Sequence, residues 1–298
     1  MKTDILNFAQ YTGSTVVALG KFDGIHIGHA KLLAHTAQTA KKLGCTGAMY
    51  VISLGKCSLA DEQDMRNFAK TLGLDAIYTD MLTPEYMAMS PQQFVQDIIA
   101  RRLNAKHVVV GYNYRFGKGR CGNTALLRSE CAKYDIGVTV IDCVTADIDG
   151  TEVAVSSTEI RNRLAEGQVA AAATMLGRPY CIKGVVQHGR RLGHTIGFPT
   201  INFYPSGCEL PIKNGVYVTR VTVDGETYTG ITNIGINPTV TKNNALRVET
   251  HILDFNKDIY GKNVRLEFVD FLRNEVKFDT LEQLSAQLDA DKAAAKLY

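Results

Sequence analysis

The 298-residue chain lacks several features that would indicate particular classes of protein. No segment approaches the roughly 20 consecutive apolar residues that a membrane-spanning helix needs. The absence of tryptophan weakens the case for a surface that stacks nucleic-acid bases. The 33 basic and 30 acidic side chains leave a net charge of only +3, and the basic ones are spread along the chain. We therefore expect neither a membrane protein nor a nucleic-acid-binding protein.

Cysteines at the spacing of a zinc site are absent as well. The seven cysteines are an odd number, and no two of them form a Cys-x-x-Cys pair. Neither a disulfide framework nor a zinc site is therefore predicted. Asp4 precedes any apolar run, which argues against a secretory signal at this end. Reduced cysteines and the lack of a signal together predict a cytoplasmic protein.

The composition is that of an ordinary globular protein, with 45% hydrophobic and 21% charged residues. A chain of this length is too long for one domain of typical size and fits two. In the first half, Ser90 followed by Pro91 is typical of a helix start, Asn123 is a candidate N-cap, and Gly44 is typical of a helix end. Strands are predicted over 14–19, 48–52, 107–110 and 138–141, and helices over 30–43, 90–103 and 123–133. This alternation predicts a parallel sheet with right-handed crossovers.

The apolar pattern shortens toward a period of two after residue 178. Asp224-Gly225 separates two such segments and predicts a tight hairpin. We predict a small β-barrel or sandwich with a C-terminal helix capped by Thr280, and domains of residues 1–178 and 179–298. The predicted strands are 215–223, 227–234, 246–253 and 264–271, and the predicted helix is 279–297.

A glycine-rich segment with two histidines follows the first predicted strand. Gly20, Gly24 and Gly28 let the backbone approach a phosphate closely, and the helix that follows offers unpaired N–H groups. His26 and His29 are three residues apart, so both can face one anion and stabilise charge that develops on it. The alternative is a glycine-rich turn with two solvent-facing histidines. The coincidence of glycines, histidines and strand–loop–helix order favours a phosphate site.

The loop after the predicted strand 107–110 is basic, aromatic and glycine-rich. Its Asn113, Tyr114, Arg115 and Phe116 offer a cation for phosphate and rings for a flat heterocycle.

A helix-start pattern follows near residue 157. Ser157 and Thr158 carry hydroxyls that can cap a helix, and Arg161 lies one turn further along. By itself this segment would be a plain N-cap with a surface arginine; beside the histidine pair, it favours a phosphate contact.

A second glycine-rich segment, which also contains two arginines, opens the second half. Thr200 and Asn202 follow it and are two residues apart, so on an extended segment their oxygens point the same way. Such oxygens are hard ligands that suit Mg²⁺. The alternative is a polar pair on the solvent face of a strand. Glu249 alternates with Val248 on a predicted strand and lacks an obvious local cation, whereas His251 is more typical of a structural residue.

These motifs resemble those of known enzymes. The first histidine segment resembles the His-x-Gly-His signature of nucleotidyltransferases, and its longer form, Gly-Lys-Phe-Asp-Gly-Ile-His-Ile-Gly-His, resembles the adenylyltransferase half of bacterial bifunctional riboflavin kinase/FAD synthetases. The segment Gly-Phe-Pro-Thr-Ile-Asn resembles the signature of riboflavin kinases. Segments 233–239, 247–255 and 268–277 also match that family, and the resemblance extends over about residues 14–290.

The resemblance implies a Rossmann-like α/β nucleotidyltransferase domain followed by a riboflavin kinase β-barrel with a C-terminal helix. It implies that the chain uses Mg²⁺-ATP to phosphorylate riboflavin to FMN and then joins FMN to AMP, giving FAD and pyrophosphate. ATP, riboflavin, FMN and FAD are the implied partners, and the chain could be a monomer or a homo-oligomer.

The family resemblance also implies a role for each matching residue. In adenylyl transfer the catalytic residues would be His26, His29 and Arg161. ATP would contact Gly20, Phe22, Asp23, Gly24, Gly28, Ser157 and Thr158, and the flavin would contact Asn113, Tyr114, Arg115 and Phe116. In the kinase, Glu249 would be the base, and Mg²⁺ would bind Thr200 and Asn202. The kinase substrates would contact Gly189, Arg191, Gly193, Gly197, Phe198, Pro199, Thr200, Asn202 and Asn233.

Three segments depart from the family pattern. Residues 53–58 stand where the family carries Phe-x-Pro-His-Pro, and Asn113 and Asn123 stand where it carries aspartates. One alternative is therefore a riboflavin kinase whose first domain is degraded. An adenylyltransferase with another acceptor, such as nicotinamide mononucleotide or phosphopantetheine, is disfavoured by the kinase signature. A non-catalytic flavin-sensing regulator is disfavoured by the retained histidines and Glu249.

Overall fold

A computed structural model describes residues 4–5, 13–53, 59–187, 198–203, 210–236 and 246–298. Contacts divide the chain into two compact units, Met1–Ser157 and Thr158–Tyr298. Within the described ranges, no helix combines the length and the apolar character needed to cross a membrane.

The first unit is built on one sheet whose strands alternate with helices. Its elements are β1 (Asp4–Ile5), β2 (Thr15–Gly20), α1 (Ile27–Leu43), β3 (Thr46–Ser53), α2 (Glu62–Thr71), β4 (Ala76–Met81), α3 (Pro84–Ala88), α4 (Pro91–Gln93, continued by a π-helix over Phe94–Arg102), β5 (Ala105–Gly111), α5 (Thr124–Ala132), β6 (Gly137–Ile141), and the hairpin β7 (Thr145–Ile148) and β8 (Thr151–Ala154).

The six strands of this sheet run in the order β1-β4-β3-β2-β5-β6, and every pairing is parallel. The predicted α/β class is confirmed. The helix signals are confirmed too, because Ser90 forms a capping box, Asn123 caps α5 through its side chain, and Gly44 ends α1 at φ +64°. The sequence patterns did not predict α2 and β4.

Strand β2 is buried on both faces, as strands of parallel sheets covered by helices are. Val16 and Ala18 pack on one side with Leu33 of α1. Val17 and Leu19 pack on the other side against the residues of the π-helix. The continuous apolar run of β2 is thus a consequence of helices on both faces, and it leaves only the ends of the strand for polar chemistry.

The second unit begins with two helices and continues as a barrel. Its elements are α6 (Ser157–Ala165), α7 (Val169–Leu176), β9 (Cys181–Gln187), β10 (Ile201–Phe203), β11 (Gly215–Val223), β12 (Glu226–Ile236), β13 (Leu246–Ile252), β14 (Asn263–Arg273) and α8 (Leu281–Ala295).

The strands of the second unit close into an antiparallel barrel in the order β10-β13-β12-β11-β14-β9. The predicted barrel and C-terminal helix are confirmed, and Thr280 caps α8 as predicted. The hairpin turns at Asp224 and Gly225, both at positive φ (52° and 83°). Two positive φ values define the tight turn that matches the twist of a hairpin. Strands β9 and β10 were not predicted.

From Thr158 onward, helices α6 and α7 belong to the same unit as the barrel. The Lys213 N–H donates to the Leu164 carbonyl at 2.9 Å, and contacts join α7 to β14. The domain boundary at residue 178, inferred from the change in apolar period, stays a prediction.

Three threonine hydroxyls form a chain inside the barrel. Thr232 lies between Thr219 and Thr250, with both oxygen–oxygen distances 2.8 Å, and all three residues are fully buried. Alternation along the strands places their neighbours on the outer face, where Val218 and Ile231 pack with Ala295 of α8. The barrel therefore has a core within it and a second apolar layer under α8.

Replacing Thr232 with valine preserves the side-chain shape but leaves two buried hydroxyls each without one hydrogen-bond partner. We expect Thr232→Val to lower the free energy of unfolding of the barrel by about 2 kcal/mol. Thr227 makes a similar hydroxyl contact with Thr222 on the same two strands, but Thr227 is exposed. Thr227→Val is therefore the matched control, expected to change the free energy by less than about 0.5 kcal/mol. Urea denaturation followed by circular dichroism measures both, and equal effects would contradict the prediction.

Candidate active sites

The loop between β2 and α1 is tightly folded around two buried apolar side chains. Phe22 and Ile25 are almost fully buried, and both have positive φ (49° and 40°). Gly24 lies between them at φ +81°. A Cβ on Gly20 would lie 3.0 Å from the Phe22 ring. Positive φ is unfavourable for L side chains and persists only where the surroundings hold it, so the buried anchors hold the backbone ahead of α1 in a fixed shape.

His26 and His29 are brought together at the start of α1. The His26 Nδ1 accepts a hydrogen bond from the His29 backbone N–H at 3.2 Å and caps the helix. The two rings stack with centroids 3.7 Å apart. Because Nδ1 accepts, a neutral His26 carries its proton on Nε2. A Cβ on Gly28 would lie only 3.1 Å from that Nδ1, so the glycine leaves room for the ring.

The second histidine is held in its neutral form. Burial, and then the adjacent His26, keep the pKa of His29 well below its ordinary value of 6.5. Its Nδ1 atom is buried and has no hydrogen-bond partner among the described residues. A buried polar atom without a partner is unfavourable, which is consistent with a polar ligand at this helix start.

Asp23 joins this loop to Ser157, the last residue of the first unit. The Ser157 hydroxyl donates to the Asp23 carbonyl at 2.8 Å, and the Asp23 carboxylate accepts from the Leu59 N–H at 2.7 Å. Asp23 and Ser157, which are both candidate ATP contacts, thus also support the loop. Thr158 is exposed, and Arg161, further along α6, is half-buried. Both residues belong to the second unit.

The second loop of the first unit follows β5, which pairs directly with β2. The chain proceeds from β2 through β3 toward one side of the sheet and returns to β5 on the other side. Crevices at such switch points, beyond the carboxyl ends of the strands, are where open α/β sheets bind ligands.

The aromatic residues of this loop pack inward. Tyr114 stacks on Phe116 with centroids 5.8 Å apart, and Phe116, which is only 5% exposed, packs against Phe94. Asn113 and Arg115 are exposed. Of the four candidate flavin residues, the two polar ones are therefore accessible, while the two rings form part of the core.

Asn123, which stands where the family carries an aspartate, caps a helix. The Asn123 Oδ1 accepts from the Leu126 N–H at 2.9 Å at the start of α5. An aspartate at this position would cap the helix in the same way, so the replacement preserves the helix start. Residues 54–58 lie outside the described residues.

Three candidate residues of the second unit lie in one row across the barrel. Asn202 of β10 is the cross-strand partner of Glu249 of β13, and Glu249 is the partner of Asn233 of β12. Directly paired residues share one face of a sheet with Cβ atoms about 5 Å apart. The row is on the outer face, because Val248 and Thr250 on either side of Glu249 are fully buried. Backbone pairing thus joins residues up to 47 positions apart, by number, into one polar group.

The expectation that Glu249 has no local cation is wrong. The Arg247 guanidinium lies 3.7 Å from the Glu249 carboxylate. Residues two apart on a strand project from the same face, which explains the contact. The Arg247 Nε is buried and has no partner among the described residues, so the ion pair leaves a donor for another group.

His251 and its neighbours hold the segment that leads into β10. The His251 Nδ1 lies 2.8 Å from the Pro199 carbonyl, and its ring lies 5.2 Å from the Phe198 ring. Burial is the main cause that lowers the pKa of His251. Thr200 follows this segment directly and is half-buried. The candidate residues Gly189, Arg191, Gly193 and Gly197 lie outside the described residues.

The residues present in β10 and β13 fit a hard cation. Asn202 is buried and is the cross-strand partner of Glu249, and Thr200 lies two residues before Asn202, just ahead of β10. An amide oxygen, a hydroxyl and a nearby carboxylate are the oxygen donors that Mg²⁺ takes together with phosphate oxygens and water.

One carboxylate at this row was not among the candidates predicted from the sequence. Glu275, two residues after β14, accepts a hydrogen bond from the Asn233 Nδ2 at 3.2 Å. The two residues are 42 positions apart, and no local spacing indicates that they meet.

An α/β unit with a paired-histidine helix start, followed by a barrel with a polar row, is the architecture of a two-domain transferase that handles phosphate groups. Two family models match the chain: FAD synthetase over residues 9–159 and riboflavin kinase over residues 176–298. The chain belongs to the bifunctional riboflavin kinase/FMN adenylyltransferase family.

The similarity to full-length relatives extends over both units. Bifunctional riboflavin kinase/FMN adenylyltransferases of Listeria monocytogenes and Bacillus subtilis are 36% and 32% identical to it, each over 95% of this chain and 92% of the relative. The Escherichia coli K12 enzyme is 31% identical over 94% of this chain and 91% of its own. A crystal structure described as a macrolide-efflux protein from Streptococcus pneumoniae matches all of both chains at a TM-score of 0.87 and 29% identity.

The lowered pKa of His29 predicts a loss of stability in acid. Below about pH 6.5, this histidine binds a proton in the unfolded chain but stays neutral in the folded protein. Acid therefore favours the unfolded chain below that pH and leaves the stability unchanged above it. Between pH 7.5 and 5.5 we expect the free energy of unfolding to fall by about 1 kcal/mol more in the wild type than in His29→Gln. Urea denaturation at each pH measures this, and equal pH dependence in the two proteins would contradict it.

Proposed function

We propose that this chain makes both flavin cofactors in the cytoplasm. A riboflavin kinase domain, residues 179–298, converts riboflavin and ATP to FMN and ADP. An FMN adenylyltransferase domain, residues 1–178, converts FMN and a second ATP to FAD and pyrophosphate. The observation that carries the proposal is that one chain of this family holds both a stacked histidine pair at a helix start and the row formed by Asn202, Glu249 and Asn233.

In the kinase step, the oxygen of the terminal ribityl hydroxyl attacks the γ-phosphorus of ATP. Glu249 accepts the proton of that hydroxyl. The bond from that phosphorus to the bridging oxygen breaks, and ADP leaves. Thr200 and Asn202 would hold the Mg²⁺ of Mg²⁺-ATP, which would supply charge neutralisation for the phosphates. Arg247 beside Glu249 keeps the site from being purely acidic where anionic phosphates must approach. Substrate contacts also come from Gly189, Arg191, Gly193, Gly197, Phe198, Pro199 and Asn233.

In the adenylyl-transfer step, an oxygen of the FMN phosphate attacks the α-phosphorus of ATP directly. The bond to the β-phosphate oxygen breaks, and pyrophosphate leaves. His26, His29 and Arg161 stabilise the negative charge of this transition state, and no side-chain nucleophile is needed. The fixed loop that contains Gly20, Phe22, Asp23 and Gly24 brings backbone close to the triphosphate, together with Gly28, Ser157 and Thr158. Asn113 and Arg115 contact the flavin nucleotide beside Tyr114 and Phe116.

The two activities predict a simple product pattern. Purified protein incubated with riboflavin, ATP and Mg²⁺ should produce FMN and then FAD, and with FMN and ATP it should produce FAD and pyrophosphate. Chromatography with flavin fluorescence resolves the products. FMN formation without FAD, even when FMN is supplied, would support the kinase-only alternative. Flavin binding without consumption of ATP would support the sensing alternative.

Two substitutions should separate the activities. Glu249→Gln should lower FMN formation by about 100-fold or more, because it removes the general base, and should preserve FAD formation from FMN. His29→Ala should lower FAD formation by about 100-fold, because it removes a donor to the transition state, and should preserve FMN formation.

Matched control variants are His35→Ala on α1 and Glu267→Gln on β14. Both should retain the two activities, since these residues lie outside both groups of candidates. If Glu249→Gln or His29→Ala abolished both activities in a folded protein, as judged by circular dichroism, the two-site proposal would fail.

A further inference from the structure

The contact between Asn233 and Glu275 determines which way the amide faces. A carboxylate only accepts hydrogen bonds, so the amide group directed at the Glu275 Oε1 must be the Nδ2. The Asn233 Oδ1 is then directed away from Glu275. A hydrogen bond with an ionised partner is stronger than a neutral one, which favours this single orientation over its flipped alternative.

The Asn233 Oδ1 has no hydrogen-bond partner among the residues that the structure describes, although the atom is buried. A buried acceptor left without a donor costs about 1–3 kcal/mol, so such an atom is expected to receive a donor from a ligand. Asn233 is the direct cross-strand partner of Glu249 and shares its face of the barrel. The Asn233 amide oxygen and the Glu249 carboxylate therefore belong to neighbouring residues on the outer face of the barrel.

Two further features hold the Glu275 carboxylate in this position. A Cβ on Gly235 would lie 2.5 Å from the Glu275 Oε1, so only glycine leaves space for the carboxylate where it is. Just before Glu275, the Arg273 guanidinium binds both carboxylate oxygens of Asp291 on α8, with shortest distances of 2.9 and 2.7 Å. Asp291 is only 4% exposed, which makes this a buried two-point anchor at the end of β14.

We propose that Glu275 is a positioning residue of the kinase site. It holds the Asn233 amide so that Oδ1 accepts a hydrogen bond from a hydroxyl of the ribityl chain, beside the Glu249 that takes the proton from the terminal hydroxyl. Gly235 leaves the space for this carboxylate, and Arg273 with Asp291 anchors the segment that carries it. The inference rests on the proposed kinase activity and assigns a role to a residue that does not itself touch the substrate.

An exchange of the two side chains tests the orientation. Glu275→Gln lets the amide flip, and we expect kcat/KM for riboflavin to fall about 10-fold. Asn233→Asp places two carboxylates in contact and should cost at least as much. In the double variant, the carboxamide now at position 275 donates to one oxygen of the carboxylate now at position 233, which presents its other oxygen to the substrate. The double variant should return to within about 3-fold of the wild type, a rescue that a merely structural role for Glu275 would not give.

Gly235→Ala provides a second test that leaves Glu275 in place. The added methyl group displaces the carboxylate from Asn233, so kcat/KM for riboflavin should fall about 10-fold in the wild-type background and should not fall further in the Glu275→Gln background. In each variant the KM for ATP should change less than the KM for riboflavin. Glu267→Gln on β14 is the matched control and should leave all of these values unchanged.

Each result decides the matter. Wild-type kinetics in Glu275→Gln, or a double variant no better than the product of its two single effects, would overturn the positioning role. Circular dichroism and urea denaturation of the same preparations report whether the barrel of each variant is folded. If the barrel of Glu275→Gln is unfolded, the Gly235→Ala comparison with the wild type decides. A wild-type protein that forms no FMN would instead overturn the proposed kinase function itself.

Discussion

The backbone hydrogen bonds between neighbouring strands are the constraint on which both candidate sites depend. In the first unit, parallel pairing of β2 with β5 aligns their carboxyl ends, beyond which open α/β sheets bind ligands. In the second unit, the antiparallel register of β10, β13 and β12 places Asn202, Glu249 and Asn233 in one row. A shift of one residue in that register would turn Glu249 toward the barrel interior. Strand pairing therefore decides which side chains can act together.

The buried polar atoms of the barrel core differ from those of the candidate sites in their hydrogen bonding. Inside the barrel, Thr219, Thr232 and Thr250 satisfy one another, so the core contains polar atoms without a large cost. At the candidate sites, the His29 Nδ1 and the Asn233 Oδ1 have no partner among the described residues. The same low-dielectric burial that makes the threonine chain stabilising makes these two atoms costly, and a polar ligand would relieve that cost.

Much of the local structure could be predicted from the sequence because its causes are local. The capping side chains of Ser90, Asn123 and Thr280 lie within three residues of the N–H groups they accept from, and Asp224-Gly225 specifies a tight turn by its own φ preferences. The pairing of His26 with His29 is a contact within one helical turn. Strands β4 and β10 escaped prediction because β4 changes from apolar to polar along its length and β10 has only three residues.

By itself, the sequence determined the α/β class of the first unit, the β class of the second, and the residue types each candidate site would use, since periodicity and short motifs act over a few residues. Only the tertiary structure decided that Arg247 faces Glu249, that Tyr114 and Phe116 pack inward, and that Glu275 reaches Asn233. Those contacts depend on strand register and on burial by distant elements. The physical reason is that a side chain's neighbours across a sheet are set by backbone pairing between segments far apart in the chain.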